Sequence, residues 1–132
     1  METVLATATI LVVEDEQQVR TLIVRLLEKR GYRVLQAENG RQALELIQDS
    51  LAELSLVITD LVMPEMGGEA LIREIHKVRS DLPCLCMTGY SQEEVANMDG
   101  LHSTSIIEKP FSPAIFLERV QNILNEGASS SS

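Results

Sequence analysis

Short apolar runs alternate with amphipathic stretches along the chain. We predict strands at residues 10–13, 32–37, 56–58, 84–87 and 105–107. The stretches between them repeat apolar side chains at helical spacing, the first with Val19, Leu22, Ile23, Leu26 and Leu27. The pattern therefore predicts an alternation of strands and helices.

Glycine, serine and proline mark the predicted ends of these helices. Gly31 suits the left-handed cap after the first helix, and Ser112 with Pro113 suits the start of the last one. The third helix, which follows Gly68, is expected to turn Leu71, Ile75 and Val78 inward. A weaker helix is predicted over residues 92–98.

Five apolar strands that are each followed by a helix indicate a parallel sheet with helices on both faces. We therefore predict a doubly wound α/β fold with five strands. The flavodoxin-like strand order 2-1-3-4-5 would place the first and third strands side by side. Residues 1–126 are expected to form one domain, and residues 127–132 a disordered serine-rich tail.

Charge and composition limit the possible partners. The chain has 132 residues, with 11 Lys and Arg against 20 Asp and Glu, for a formal net charge of -9. Such a surface repels nucleic acid and anionic membranes, and no apolar stretch reaches the roughly 20 residues that cross a bilayer. We expect a cytoplasmic protein. Cys84 and Cys86 are predicted to be core thiols on opposite faces of a strand, unable to bridge.

The carboxyl ends of the predicted strands carry most of the polar chemistry. Glu14, Asp15, Asp60, Thr88 and Lys109 all lie there. Two carboxylates about 6 Å apart repel by about 3 kcal/mol at an effective dielectric near 20, so this edge requires a counter-charge. Lys109 and a divalent cation are the candidates, and oxygen ligands suit Mg²⁺.

These residues resemble the motifs of response-regulator receiver domains. The resemblance covers about residues 8–125. It comprises an acidic pair after the first strand, Asp60-Leu61-Val62-Met63-Pro64 after the third, Thr88-Gly89 after the fourth and Lys109-Pro110 after the fifth. The run over residues 87–91 further resembles receivers attached to hybrid histidine kinases.

The resemblance implies a phosphorelay function. Asp60 would accept a phosphoryl group from a phosphohistidine, and Thr88 and Lys109 would contact its oxygens. The implied Mg²⁺ ligands are Glu14, Asp15, Asp60 and the backbone carbonyl of Val62. The partners would be a sensor histidine kinase or a histidine phosphotransfer protein, and the chain would be a monomer or a weak homodimer. It would catalyse its own phosphorylation and slow dephosphorylation without turning over an external substrate.

Three positions depart from the family pattern. Glu14 stands where Asp is commoner, and Gly67 stands where many receivers have an acidic residue. Ile106 stands where receivers usually have a Tyr or Phe, the switch residue that turns inward when the Thr moves. Ile106 makes a degenerate receiver that binds partners without phosphorylation an alternative. A flavodoxin fits poorly, because a flavin site favours aromatic stacking and the chain has no Trp. A haloacid-dehalogenase-like phosphatase would require a second Asp two residues after Asp60, where this chain has Val62.

Overall fold

The computed structural model describes residues 8–98 and 104–130. Five parallel strands form one sheet in the order β2-β1-β3-β4-β5, which confirms the predicted fold. The strands are β1 (Thr9–Val13), β2 (Arg33–Ala37), β3 (Leu54–Asp60), β4 (Cys84–Thr88) and β5 (Ser105–Glu108). The predicted strands all exist, and β3 is longer than its apolar run suggests.

Helices cover both faces of this sheet. They are α1 (Gln17–Lys29), α2 (Gly40–Ser50), α3 (Gly68–Val78), α4 (Gln92–Ala96) and α5 (Pro113–Ser130), with a 3₁₀ helix at Leu51–Glu53 after α2. One apolar cluster joins the sheet to α2, α3 and α4, and a second joins its other face to α1 and α5. The alternation of side chains along each buried strand feeds both clusters.

Local sequence signals account for several helix ends. Gly31 has a φ of 90° just after α1, as predicted for a left-handed cap. The Ser112 hydroxyl accepts a hydrogen bond from the Ile115 N–H at 3.2 Å, and Pro113 opens α5. Asn39 caps α2 in the same way through the Gln42 N–H. These caps fix where the helices begin and so where the loops lie.

Two sequence expectations about side-chain direction were wrong. Val78 is 71% exposed, because it is the last residue of α3 and lies beyond the buried part of the helix. Cys84 and Cys86 belong to the same apolar cluster, since residues two apart in a strand point to the same face. Both are buried free thiols, as predicted for core cysteines.

The predicted domain and tail extend beyond the described residues at both ends of the chain. The first seven residues and residues 131–132 lie outside the described part of the chain. Helix α5 is continuous to Ser130 and so runs past residue 126, and the boundary between domain and tail stays a prediction. No helix in the described residues is both long and apolar enough to span a bilayer.

Candidate functional site

The strand register brings the ends of β1, β3, β4 and β5 together at one edge of the sheet. Val13 pairs with Thr59, so Glu14, which directly follows β1, lies beside Asp60, the last residue of β3. Asp60 pairs with Met87, and the Lys109 N–H donates to the Thr88 carbonyl at 2.7 Å. Parallel pairing therefore gathers polar residues that lie up to 95 positions apart in sequence, from Glu14 to Lys109.

An ion pair between Asp60 and Lys109 lies at the centre of this edge. Lys109 Nζ lies 2.7 Å from Asp60 Oδ1, and the Asp60 side chain is 5% exposed. Burial lowers the pKa of Lys109, but the hydrogen bond to Asp60 and the neighbouring carboxylates outweigh it and leave the pKa above 10.5. Lys109 is therefore the fixed positive charge that the crowded carboxylates require.

Glu14 is the most deeply buried acid of the site. Its Oε2 accepts a hydrogen bond from the Glu16 N–H at 3.0 Å, and its Oε1 is 4.0 Å from Lys109 Nζ. Oε1 is buried and has no hydrogen-bond partner among the described residues. Burial, followed by the neighbouring Asp60 carboxylate, raises the pKa of Glu14 from 4.5 to about 8. The site thus holds a buried carboxylate oxygen that has no hydrogen-bond partner among the described residues.

Three carboxylates form a cluster that suits a hard cation. One oxygen each from Glu14, Asp15 and Asp60 lies within 4.8 Å of the other two. Asp15 is exposed, whereas Glu14 and Asp60 are buried, so the cluster opens to solvent on the Asp15 side. The unpartnered Glu14 oxygen and the all-oxygen donor set together fit Mg²⁺.

A pocket of about 270 Å³ adjoins the Asp60–Lys109 pair. Its lining residues are Asp60, Val62, Met87, Thr88, Gly89, Tyr90 and Lys109. Thr88 is 4% exposed, and its hydroxyl accepts a hydrogen bond from the Tyr90 N–H at 3.0 Å. Val62, by contrast, is 70% exposed at the rim. The pocket therefore has a polar floor with an apolar and aromatic edge.

Sequence reasoning did not identify two residues that shape this edge. A Cβ at Gly68 would overlap the Asp60 carbonyl oxygen, so only glycine lets α3 begin against the end of β3. Arg20 donates to the Glu14 carbonyl oxygen at 2.9 Å. The Gly67-Gly68 pair was a visible signal for the first, whereas a lone arginine on an amphipathic helix gives none for the second.

Three further residues lie near the site. The Lys109–Pro110 peptide is cis. Ile106 is 5% exposed and packs in the cluster that includes Val95 of α4, so an aliphatic side chain fills the position of the usual aromatic switch. Glu16 stands at the N-cap of α1 without a side-chain cap, and its N–H serves Glu14 instead.

Comparisons with known proteins agree on one family. The family model described as response regulator receiver domain matches residues 10–121. The chain is 38% identical over 120 residues to the sensor kinase CckA of Brucella abortus strain 2308, covering 90% of this chain but 13% of that kinase. It is 33% identical to the response regulator receiver protein CpdR of the same organism, covering 87% of this chain and 95% of CpdR.

Solved structures show the same likeness. The receiver domain of the hybrid histidine kinase CckA superposes with a TM-score of 0.75 at 32% identity, covering 89% of this chain and 99% of that one. Since the family match extends over most of the chain and includes all the strand ends described above, this chain belongs to the response-regulator receiver domain family of two-component signalling.

Proposed function

We propose that this receiver domain accepts a phosphoryl group on Asp60 in a reaction that depends on Mg²⁺. The observation that carries the proposal is the buried Asp60 carboxylate, held by Lys109 at 2.7 Å within a cluster of three carboxylates. The donor is a phosphohistidine of a sensor histidine kinase or a histidine phosphotransfer protein. The proposal includes a cytoplasmic location, where such donors are phosphorylated from nucleotide.

The covalent step is a transfer between two nucleophiles. An Asp60 oxygen attacks phosphorus, and the bond from phosphorus to the donor imidazole nitrogen breaks with its electron pair going to that nitrogen. Because the phosphohistidine ring carries a proton on its other nitrogen, it leaves as neutral imidazole. The product is an acyl phosphate on Asp60. Such a reaction needs positioning and charge neutralisation more than covalent activation, so a carboxylate with fixed positive charge suffices.

The residues around Asp60 divide this work. Lys109 holds one carboxylate oxygen and stabilises the charge on the phosphoryl oxygens. Thr88, which lines the same pocket, donates its hydroxyl proton to one of these oxygens. Glu14, Asp15, Asp60 and the Val62 carbonyl would hold Mg²⁺, which when bound supplies further positive charge beside the phosphoryl group.

Phosphorylation would change the partner-binding surface through the loop after β4. The Thr88 oxygen can accept from the Tyr90 N–H while its proton is donated to the phosphoryl group. Ser91, the next residue, caps α4 through a capping box with Glu94. A shift of the Thr88 hydroxyl is therefore passed to the start of α4, and the phosphorylated state favours one of two loop positions.

Incubation with acetyl phosphate and Mg²⁺ tests this function. Intact-mass measurement should show one added phosphoryl group on the wild-type chain and none on Asp60→Asn. Asp81→Asn, which removes an exposed carboxylate distant in sequence, is the matched control and should react as the wild type does. A mass gain that survives Asp60→Asn would place the acceptor elsewhere.

A phosphorylation-independent interaction module is the second candidate. The observation that favours it is the buried Ile106. Its side chain is β-branched and stiff at the first torsion angle, so it does not turn between two positions as the aromatic switch residue of other receivers does. A wild-type chain that gains no mass with acetyl phosphate and Mg²⁺, and that also takes no phosphoryl group from a histidine kinase, would support this candidate.

The biological setting belongs to the same proposal. The chain spans 13% of the length of CckA but 95% of CpdR, so its relatives include both a receiver within a larger kinase and a short receiver protein. The resemblance of residues 87–91 to receivers of hybrid kinases favours the first setting. The protein would then receive its phosphoryl group from a kinase core and act as a monomer or a weak homodimer.

A further inference from the structure

Arg20 joins the loop after β1 to the neighbouring strand. Its Nη1 donates to the Glu14 carbonyl oxygen at 2.9 Å, and its Nε donates to Gln36 Oε1 at 3.2 Å. Gln36 is the last residue but one of β2, which pairs with β1 in parallel. A single planar side chain on α1 therefore connects three elements at the edge of the sheet where the carboxylates meet.

The orientation of the Glu14 carbonyl affects the geometry of the acidic cluster. It belongs to the peptide that links Glu14 to Asp15, and because a peptide is planar, fixing this oxygen fixes the direction in which Asp15 leaves. The Glu14 N–H is held as well, since it donates to the Ala37 carbonyl at 3.1 Å. Glu14 is thus anchored on both sides of its Cα, with Arg20 as the anchor on the Asp15 side.

We infer that Arg20 is a positioning residue for the metal site, which orients the Glu14–Asp15 peptide so that both carboxylates face Asp60. The inference rests on the proposed function, because it concerns the Mg²⁺ that this function requires. Arg20 acts through its two hydrogen bonds.

The two-point contact explains why the residue is arginine. A guanidinium presents several donors in a rigid plane, so Nη1 and Nε reach the Glu14 and Gln36 oxygens at the same time. A lysine ammonium at the same position keeps the charge but is a single point on a flexible stem. Arg20→Lys therefore separates the effect of geometry from the effect of charge.

Calorimetric titration of Mg²⁺ into the unphosphorylated chain tests the inference without any phosphodonor. Removing groups that orient metal ligands typically weakens metal binding by about 10- to 100-fold, and we expect Arg20→Ala to fall in this range. Arg20→Lys should still weaken Mg²⁺ binding several-fold, because it keeps the charge but not the planar two-point contact. Arg25→Ala, which removes the same charge from an exposed position of the same helix, should leave the affinity within about twofold of the wild type.

Amide hydrogen exchange in the metal-free chain gives an independent readout. In Arg20→Ala the amides of Asp15 and Glu16 should exchange faster, while amides in the centre of β3 should exchange as in the wild type. Gln36→Ala removes only the second contact from an exposed site, so it tests the two-point anchor even where Arg20→Ala folds poorly. It should weaken Mg²⁺ binding to a smaller extent.

The outcomes distinguish this inference from the proposed function. Wild-type Mg²⁺ affinity in both Arg20→Ala and Gln36→Ala would overturn the positioning role alone. An equal loss in Arg25→Ala and Arg20→Ala would also overturn it, since charge would then explain the effect. A wild-type chain that binds no Mg²⁺ would contradict the metal site and the positioning role together.

Discussion

At the scale of single residues, Glu14 gives the site its main dependence on pH. The unfolded chain loses this proton near pH 4.5, whereas burial and the neighbouring Asp60 carboxylate keep it on the folded chain up to about pH 8. Between these values the folded state binds more protons, so the free energy of unfolding falls as the pH rises. Lys109 stays charged throughout this window because its pKa is raised above 10.5.

We therefore expect Glu14→Gln to remove most of this fall in stability. Each pKa unit between the folded and unfolded states corresponds to about 1.4 kcal/mol, so the effect is large enough to measure. Urea unfolding of the metal-free chain across pH 4.5 to 8 gives the comparison, with Glu28→Gln at an exposed position of α1 as the control. Equal pH slopes for the wild type and Glu14→Gln would contradict the assignment.

Val62 sets a second residue-scale expectation, which concerns the lifetime of the phosphorylated state. Its exposed apolar side chain and Tyr90 line the pocket beside Asp60, where we expect them to exclude water from the proposed acyl phosphate. Val62→Asn should speed the loss of the phosphoryl group by several-fold, measured by intact mass over time. Val78→Asn is matched in exposure, at 71% against 70%, and should decay as the wild type does. An unchanged rate in Val62→Asn would contradict shielding.

At the scale of elements, the contact between α3 and the end of β3 decides where Asp60 lies. The Gly68 N–H donates to the Leu61 carbonyl at 2.8 Å, and a side chain at Gly68 would meet the Asp60 backbone. Backbone atoms cannot move aside as a flexible side chain can. Either the helix would have to shift away from the strand or the backbone at Asp60 would have to move.

Gly68→Ala should cost about 1–3 kcal/mol in the free energy of unfolding, the usual range for overpacking. Gly89→Ala is the matched control, since an added Cβ at Gly89 meets nothing within 4 Å. It should change stability by less than about 0.5 kcal/mol. Chemical denaturation of the two variants measures both effects, and similar values for both would show that the close approach is not required.

Elements also show what periodicity predicts and where it fails. All five strands were predicted. The inner strands β1, β3 and β4 are buried on both faces and consist mostly of apolar residues, whereas the edge strands β2 and β5 are buried only in part. The inward direction of Val78 was not predictable from spacing alone. Periodicity assigns a face to a residue but not the point at which the core ends, and Val78 lies beyond that point although Leu71 and Ile75 are fully buried.

At the scale of the whole molecule, topology explains why the candidate site was largely predictable. Polar residues at the ends of parallel strands share one edge, and the order 2-1-3-4-5 places β1 and β3 side by side. Glu14, Asp15, Asp60 and Lys109 could therefore be grouped from the sequence. The Arg20 contacts could not, because they depend on the rotamer of a long side chain and on the loop conformation.

The most direct measurement of the central claim is to locate the phosphoryl group chemically. After reaction with acetyl phosphate and Mg²⁺, borohydride reduces an acyl phosphate to an alcohol, which leaves a stable mass change at the modified aspartate. Peptide mass spectrometry should find this change at Asp60, and chelation of Mg²⁺ before the reaction should abolish it. A reduced residue at any other position, or none in a chain shown to be folded, would contradict the account.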